Sequence, residues 1–578
     1  MLSQSLCVSV SREYIKGEEE MKKQTIISFA LIAVVVFAAI FGIMQCAGNK
    51  DVANKEQAEK KLAKMVKKVS ASEKELTKGT VDIGGSNTLA EELPDISKYP
   101  ISLEGSGKIN IEIFAAPEKA GSDTDGWMIE AAKRFNKQKH TIDGKSVAIT
   151  IRSMSSGTGA DYITSGKYLP DAYSPSSSLW GQLIETQGQK VEVYADKLTG
   201  NVAGILVSQK VKKELKDKYG KVDFKTVVEA TAAGDIAMGY TNPFSSSTGL
   251  NFLLETLYIY DSQNILSDTA IDGFAKFQKN VPFVAYTTQQ MRDAADSGTL
   301  DGMVNEYQTY INDKKLSNYE FIPFGIRHDG PMYAIGNLSE NKKEALRMFT
   351  EYCLSDEMQD LAKDYGFNQM DDYNSELPNI GGATIMEAQN LWKENKDNGS
   401  SITAVFVADI SGSMGGDPIK QLKESLINAG KYIDKDNSIG LVSFNNRVFI
   451  DLPIAKFDLN QRSYFNGAVD NLVAFGGTAT YDGIVVATDM LMKAKEADPS
   501  TKPVLFLLSD GRQNEGYNLS QVSSVLKSLE IPVYSIAYGD DADMDELNEI
   551  SEVNEAAVIK ADSDDVVYKL KNLFNAQM

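Results

Sequence analysis

The run Ile402-Thr403-Ala404-Val405-Phe406-Val407-Ala408-Asp409-Ile410-Ser411-Gly412-Ser413 decides the fold of the C-terminal part of the chain. Ile402 to Ala408 is mostly apolar and partly β-branched, which reads as a buried central strand. The residues after it leave the sheet at the strand's carboxyl end, where open α/β sheets bind ligands. They set one carboxylate and two hydroxyls at alternate positions, Asp409, Ser411 and Ser413, so that all three can aim at one point. Hard oxygens with a single formal charge suit Mg²⁺, Mn²⁺ or Ca²⁺ and suit Zn²⁺ poorly.

Two more segments supply the rest of a site. Val504 to Leu508 is a second apolar run, ending in Ser509-Asp510-Gly511. Phe475-Gly476-Gly477-Thr478-Ala479-Thr480 is a glycine-rich loop before a helical stretch, Tyr481 to Ala494. The three segments together resemble the metal-ion-dependent adhesion site of von Willebrand factor type A domains, whose pattern is DxSxS, a Thr in a GGT-like loop and an Asp at a strand end. Residue by residue the match is Asp409, Ser411, Ser413, Thr478 and Asp510, and it covers residues 400–578. The resemblance implies a doubly wound, mostly parallel Rossmann-like α/β sheet. It also implies one divalent cation, Mg²⁺ foremost with Mn²⁺ or Ca²⁺ as alternatives, and a protein partner that offers the metal an Asp or Glu. One departure is Arg512-Gln513-Asn514, where the family commonly has an acidic residue. The plainer reading makes Asp409 a turn residue and the serines helix caps. Asp417-Pro418 already supplies an N-cap and N1 pair for a helix over 419–433.

The chain has 578 residues, enough for two to four domains. Its apolar and charged fractions, 42% and 24%, are those of ordinary globular protein. A formal net charge of −21 argues against nucleic-acid binding, which needs a basic footprint. The three cysteines, Cys7, Cys46 and Cys353, imply no disulfide framework. The two histidines, His140 and His328, exclude a His-rich zinc site and are read as surface or loop residues. The sequence holds no GxxxxGK[ST], no GxSxG elbow and no DxDxT, so no enzyme is predicted.

Residues 1–20 end in Lys16-Gly17-Glu18-Glu19-Glu20, whose codons are purine-rich, as a translated ribosome-binding site ahead of a start at Met21 would be. The alternative is a short genuine extension. Within 21–49, Lys22-Lys23 precedes an apolar core, Ile26 to Met44, long enough to span a bilayer. This predicts a single-pass cell-membrane protein with its domains extracellular. A lipoprotein through Cys46 is the alternative, although Gln45 is not the small residue such signals favour. Residues 50–107 read as a stalk and linker: Leu62, Met65, Val66 and Val69 stand at helical spacing, and Gly84-Gly85, Pro94, Pro100 and Gly105 follow.

From 108 to 371 strand and helix signals alternate, as in parallel sheets with covered faces. Pro243-Phe244-Ser245-Ser246-Ser247-Thr248-Gly249-Leu250 and the late helix pair over Glu344 to Phe367 resemble the type II periplasmic substrate-binding proteins, the solute receptors of ABC transporters. That resemblance implies two α/β lobes with a solute between them. Ser155, Ser156 and Thr158 stand at one helix amino terminus, Ser245, Ser246 and Thr248 at another, and Ser176 and Ser177 in a further loop. Free N–H groups and hydroxyls at such ends suit a small polar or anionic solute. Each serine alone equally suits an ordinary cap or turn. Residues 372–399 read as a linker with a helical middle, and 400–578 as the last domain. The function these features predict is a membrane-anchored extracellular binding protein. A solute receptor of an ABC-type transport system is the alternative, and a metal-dependent enzyme or chelatase subunit the weaker third.

Overall fold

The computed structural model describes residues 54–81, 88–281, 283–285, 300–396, 401–539, 542–554 and 558–560, with isolated positions at 288, 291, 556 and 570. The extension, the apolar run Ile26 to Met44, Cys46 and the helix read over Asp564 to Phe574 lie outside the described residues, but for Leu570. Among the described residues no helix is long and apolar enough to cross a membrane.

The described chain opens with the helix Lys55–Val66 and a short strand, β1 (Ala71–Glu73). Two sheets follow. The first takes β2 (Ile101–Leu103), β3 (Ile109–Ala115), β4 (Thr141–Ile142), β5 (Lys145–Ser153), β6 (Ala172–Ser174) and β7 (Val191–Ala195). The second takes β8 (Ala203–Ser208), β9 (Met238–Thr241), β10 (Phe283–Ala285), β11 (Gly302–Glu306) and β12 (Tyr319–Phe324), after which β13 (Met332–Ile335) returns to the first. Their orders are β2-β5-β3-β6-β13-β7, with β4 beside β5, and β10-β9-β11-β8-β12. Alternation along β3 explains its place: Ile109, Ile111 and Ile113 enter the core under the helices Trp127–Lys137 and Glu340–Cys353, while Phe114 enters the core on the other face.

The sheets are the cores of two lobes, and the chain crosses between them at 196–202 and again at 325–331. The crossings bond to each other, Leu198 N–H to the Asp329 carbonyl (3.0 Å) and His328 N–H to that of Asn201 (3.0 Å). The stretch 372–399 is more than a connection. Its helix, Gly382–Asn395, packs on the helix Leu179–Thr186 of the first lobe and on Ser247–Tyr260 and Asp268–Gln278 of the second, burying Ile385, Ala388 and Trp392. Trp392 Nε1 donates to Tyr240 Oη at 2.7 Å and Gln389 Nε2 to the Pro243 carbonyl at 2.9 Å.

The C-terminal unit contains β14 (Ile402–Asp409), β15 (Ser438–Phe444), β16 (Val448–Lys456), β17 (Lys502–Ser509), β18 (Val533–Ala537) and β19 (Val558–Lys560). Its order is β1-β16-β15-β14-β17-β18-β19, with β14 at the centre and β16 antiparallel to β15. Along β14, Ala404, Phe406 and Ala408 face the helices Asp417–Ala429 and Leu459–Asp470, and Val405 and Val407 face Thr480–Ala497. The stretch over 55–73, read as a stalk, folds into this unit instead. Ala58, Leu62 and Met65 are buried among Ile484, Val522 and Leu526, and β1 pairs in parallel with β16, so β1 and not β16 is the edge of the sheet. Residues 74–80 continue along β16 and the helix Leu459–Asp470: Lys74 pairs with buried Asp451 of β16 (2.6 Å), Gly79 N–H reaches the Ser463 carbonyl (2.7 Å) and Asn466 Nδ2 the Thr80 carbonyl (2.8 Å). The two lobes are thus an insertion between the first strand of the C-terminal sheet and the rest of it.

Candidate functional site

β14 and β17 are neighbouring parallel strands, so Asp409 and Asp510 emerge at the same end of the sheet. Backbone bonds zip the loops there together. Ile410 N–H meets the Phe444 carbonyl (2.8 Å), Phe475 N–H that of Ile410 (2.8 Å), Gly412 N–H that of Gly476 (3.0 Å) and Ala479 N–H that of Asn445 (2.8 Å). Gly476 has φ +87°, a conformation that a side chain would strain. On the far side Asn514 and Glu515 donate their N–H groups to the Thr478 carbonyl (3.0 and 3.1 Å), and Asn514 Oδ1 accepts from Thr478 N–H (2.9 Å).

All five residues matched to the metal pattern lie on these zipped loops. Asp409 is wholly buried, accepting from Ser411 N–H (2.8 Å) on Oδ1 and from Ser509 Oγ (2.6 Å) on Oδ2. Burial pushes its carboxyl up to about 6, against the hydrogen bonds from Ser411 and Ser509, and the charge of Asp510 adds to the rise. Ser411 and Ser413 bring their hydroxyls within 2.9 Å of each other, and Thr478 and Asp510 are buried on the adjoining loops. The serines do not cap the next helix, which starts at Asp417 behind an N-cap at Gly416 with no side-chain bond, rather than behind Asp417. Ser509 Oγ, also a donor to the buried end of this site, was not singled out in the sequence.

The donor chemistry fits a hard divalent ion. A buried carboxylate whose near charged neighbour is another carboxylate is under-neutralised, and hydroxyls complete an oxygen set. Among the described residues no group of three or more His, Cys, Asp or Glu could hold a metal, so the set depends on its hydroxyls.

The hydroxyl clusters of the bilobed part meet at the junction of the lobes. Gly157 N–H bonds the Ser245 carbonyl across it (2.9 Å), and a Cβ on Gly157 would come within 2.0 Å of the Phe244 carbonyl oxygen. Ser247 Oγ donates to Ser156 Oγ (3.1 Å), takes a bond from Trp180 Nε1 (2.8 Å), and Ser156 Oγ accepts from Ser176 N–H (3.3 Å). Ser155 and Ser246 are caps, accepting from Thr158 N–H and Gly249 N–H, and Thr158 Oγ1 bonds Ser155 Oγ. Ser245 Oγ donates to the Asn242 carbonyl (3.3 Å). Ser177 Oγ is buried with no hydrogen-bond partner. Ser156 and Ser176 therefore meet Ser247 at the junction and Ser245 reaches it through its backbone carbonyl, while Ser155, Thr158 and Ser246 serve their own helix ends.

Sequence reasoning missed the charged heart of this junction. Glu306, at the end of β11, accepts from Thr248 Oγ1 (3.1 Å) and Asn201 Nδ2 (2.9 Å) and bonds His328 Nδ1 (2.9 Å). Burial alone would raise its carboxyl, but the His328 and Thr248 bonds and the Lys119 charge hold it below the usual range. Lys119 is itself buried, its ammonium on the Pro175 carbonyl (2.8 Å) and lowered by desolvation. His328 is a buried hinge residue rather than a surface one, which a lone loop histidine in a sequence does not announce.

A family model for the von Willebrand factor type A domain matches residues 404–576, and one for bacterial extracellular solute-binding proteins matches 120–368. The chain is 26% identical over 165 residues to the uncharacterized protein sll0103 of Synechocystis, covering 27% of this chain and 37% of that one. It is 29% identical to inter-alpha-trypsin inhibitor heavy chain H1 of Mesocricetus auratus, over 30% of this chain and 20% of the relative. The chain thus spans well under half the length of the curated relatives it matches. A periplasmic thiamin binding protein superposes with TM-score 0.37 and 11% identity, covering 50% of this chain and 96% of that one. Neither family is typically enzymatic, and type A domains commonly bind a divalent cation. In chain order, the protein carries a bacterial solute-binding domain and a von Willebrand factor type A domain.

Proposed function

We propose that this is a membrane-anchored, outward-facing binding protein, not an enzyme, that holds one divalent cation in its type A domain and presents it to a carboxylate of a protein partner. The observation that carries the reading is wholly buried Asp409 beside Asp510, two carboxylates sharing one loop cluster with the hydroxyls of Ser411, Ser413 and Thr478. Those five residues would hold the ion, Mg²⁺ in the first instance. When bound, the ion supplies an electrophilic position that an incoming Asp or Glu completes. The zipped backbone of the loops keeps the donors together before the ion arrives. The bilobed domain takes a small polar solute between its lobes, with Ser156, Ser176, Ser245 and Thr248 nearest its path. The apolar run Ile26 to Met44 supports an anchor ahead of the described domains.

Calorimetric titration of Mg²⁺ into the whole chain freed of metal tests the site. One binding event is expected, lost in Asp409→Ala with the circular dichroism spectrum kept. An unchanged isotherm in Asp409→Ala would end the metal reading. Protease added to intact cells should remove the type A domain, and full protection without lysis would end the outward orientation.

A further inference from the structure

The loop that carries Thr478 begins with a stretch of alternating burial. Leu472 is buried and Ala474 partly so, while Val473 and Phe475 are 63% and 54% exposed. The alternation leaves these two large apolar side chains, at i and i+2, together on the solvent side. Phe475 is fixed beside the metal loops, because its N–H bonds the Ile410 carbonyl and the next residue accepts from Gly412 N–H. Single exposed apolar residues are ordinary. Here two neighbours stand together next to the proposed ion.

Charge at the same face completes the pattern. The sequence has nine arginines, of which three fall in the described C-terminal unit, Arg447, Arg462 and Arg512. Arg447 and Arg512 are exposed on the two loops that flank the Thr478 loop. The turn of Arg447 is joined to it through Asn445 and Ala479, and the loop of Arg512 through Asn514 and Thr478. Glu515 packs its carboxylate against Gly477, which makes the Arg512 side less welcoming to an anion than the Arg447 side. In a chain of net charge −21, an arginine on this face is a local reversal of sign. Arginine is also the side chain that grips carboxylates in two-point geometry.

We infer that the metal face binds an exposed segment of a protein partner that is acidic and apolar together: one carboxylate reaches the ion, an adjacent large aliphatic side chain lies on Phe475 and Val473, and a second carboxylate pairs with Arg447. This rests on the metal reading above and names the partner's chemistry. Charge complementarity selects the acid, and the apolar pair selects what stands next to it.

The test uses the whole chain in Mg²⁺ and three fluorescent synthetic peptides of equal length in a Gly-Ser background. One carries a single Asp, the second Asp-Leu, and the third Asp-Leu with a second Asp. Affinity should rise at each step, by roughly tenfold for the Leu. Phe475→Ser should erase the Leu step and leave the single-Asp peptide unaffected. Arg447→Ser should erase only the last step. Both side chains are exposed, so neither change should alter thermal unfolding, which is measured alongside. Equal binding of the three peptides, no binding of any peptide while calorimetry shows Mg²⁺ bound, or steps that survive both substitutions would each overturn the inference. Loss of Mg²⁺ binding itself would be a failure of the metal reading, seen in the calorimeter without any peptide.

Discussion

Tyr432 donates its phenolic hydroxyl to Glu92 Oε1 at 2.6 Å, joining the C-terminal unit to the inserted lobes across 340 residues of sequence. Glu92 ends the short helix Leu89–Glu92, which leads into buried Leu93 and packs on the helix Ser156–Ser165 of the first lobe. Tyr432 closes the 3-10 turn after the helix Asp417–Ala429, whose other end follows the metal loop. The bond therefore lies between elements that begin at the two candidate sites. Tyr432→Phe should weaken the docking of the units by about 1.5–3 kcal/mol, the range for a hydrogen bond to a charged group. Calorimetric unfolding of the whole chain should then separate into two better resolved transitions. A single unchanged transition would show that the units are held by other contacts.

The segment ahead of the lobes should prove essential to the type A domain. Leu62 is 3% exposed and Met65 5% exposed, both inside the helical layer over β14 and β17. Leu62→Ala should destabilise the C-terminal unit by about 2–5 kcal/mol. A chain that starts at residue 400 should unfold at lower denaturant than one in which residues 54–81 are joined to 401–578 by a short linker. Equal midpoints would mean that helix Lys55–Val66 and β1 are ornaments on a self-sufficient sheet.

The sequence was a good guide where signals were local. The apolar runs of β14 and β17 and the spacing Asp409, Ser411, Ser413 announce strands and loop without any tertiary knowledge. Three things were hidden because they depend on long-range pairing. Ala71 to Glu73 is three exposed polar-leaning residues, and only pairing with Val448 to Ile450 makes it a strand. The amphipathic stripe of 55–66 was legible as a helix, but amphipathicity does not say what it packs against. Glu306, Lys119 and His328 are far apart in sequence and converge only when the hinge segments fold, so no spacing could reveal them. The serines show the opposite error: as residue types they fit a ligand, yet Ser155 and Ser246 are bonded to their own helix ends.

His328→Ala should damage the lobe junction more than its single side chain suggests. It would leave Glu306, 4% exposed, with one fewer partner in a buried setting. Taking a hydrogen-bond partner away from a buried charged group costs about 1–3 kcal/mol or more. Glu306→Gln in the same background should recover part of the loss, since the buried group is then neutral. Urea unfolding of the single and double variants makes the comparison. If the double variant is no more stable than His328→Ala, the cost comes from the missing ring's packing and not from the carboxylate.

Glu255 sets a pH dependence away from both sites. It stands on the inner side of the helix Ser247–Tyr260, 7% exposed, with Oε2 lacking any hydrogen-bond partner. Burial raises its carboxyl to about 7, with a smaller push from the Glu376 charge. The native state therefore holds this proton at pH values where the unfolded chain has released it. Stability must fall as pH rises from the ordinary glutamate range through about 7, and level off above. The whole swing is on the order of 3 kcal/mol at most. Glu255→Gln, uncharged throughout, should remove that part of the slope, and its gain over the parent should be largest at pH 8 and vanish at pH 4. Melting temperatures of the two proteins across that range decide it. A constant offset between them would mean that the carboxyl does not titrate in this window, and that the unpartnered oxygen is tolerated as a charge.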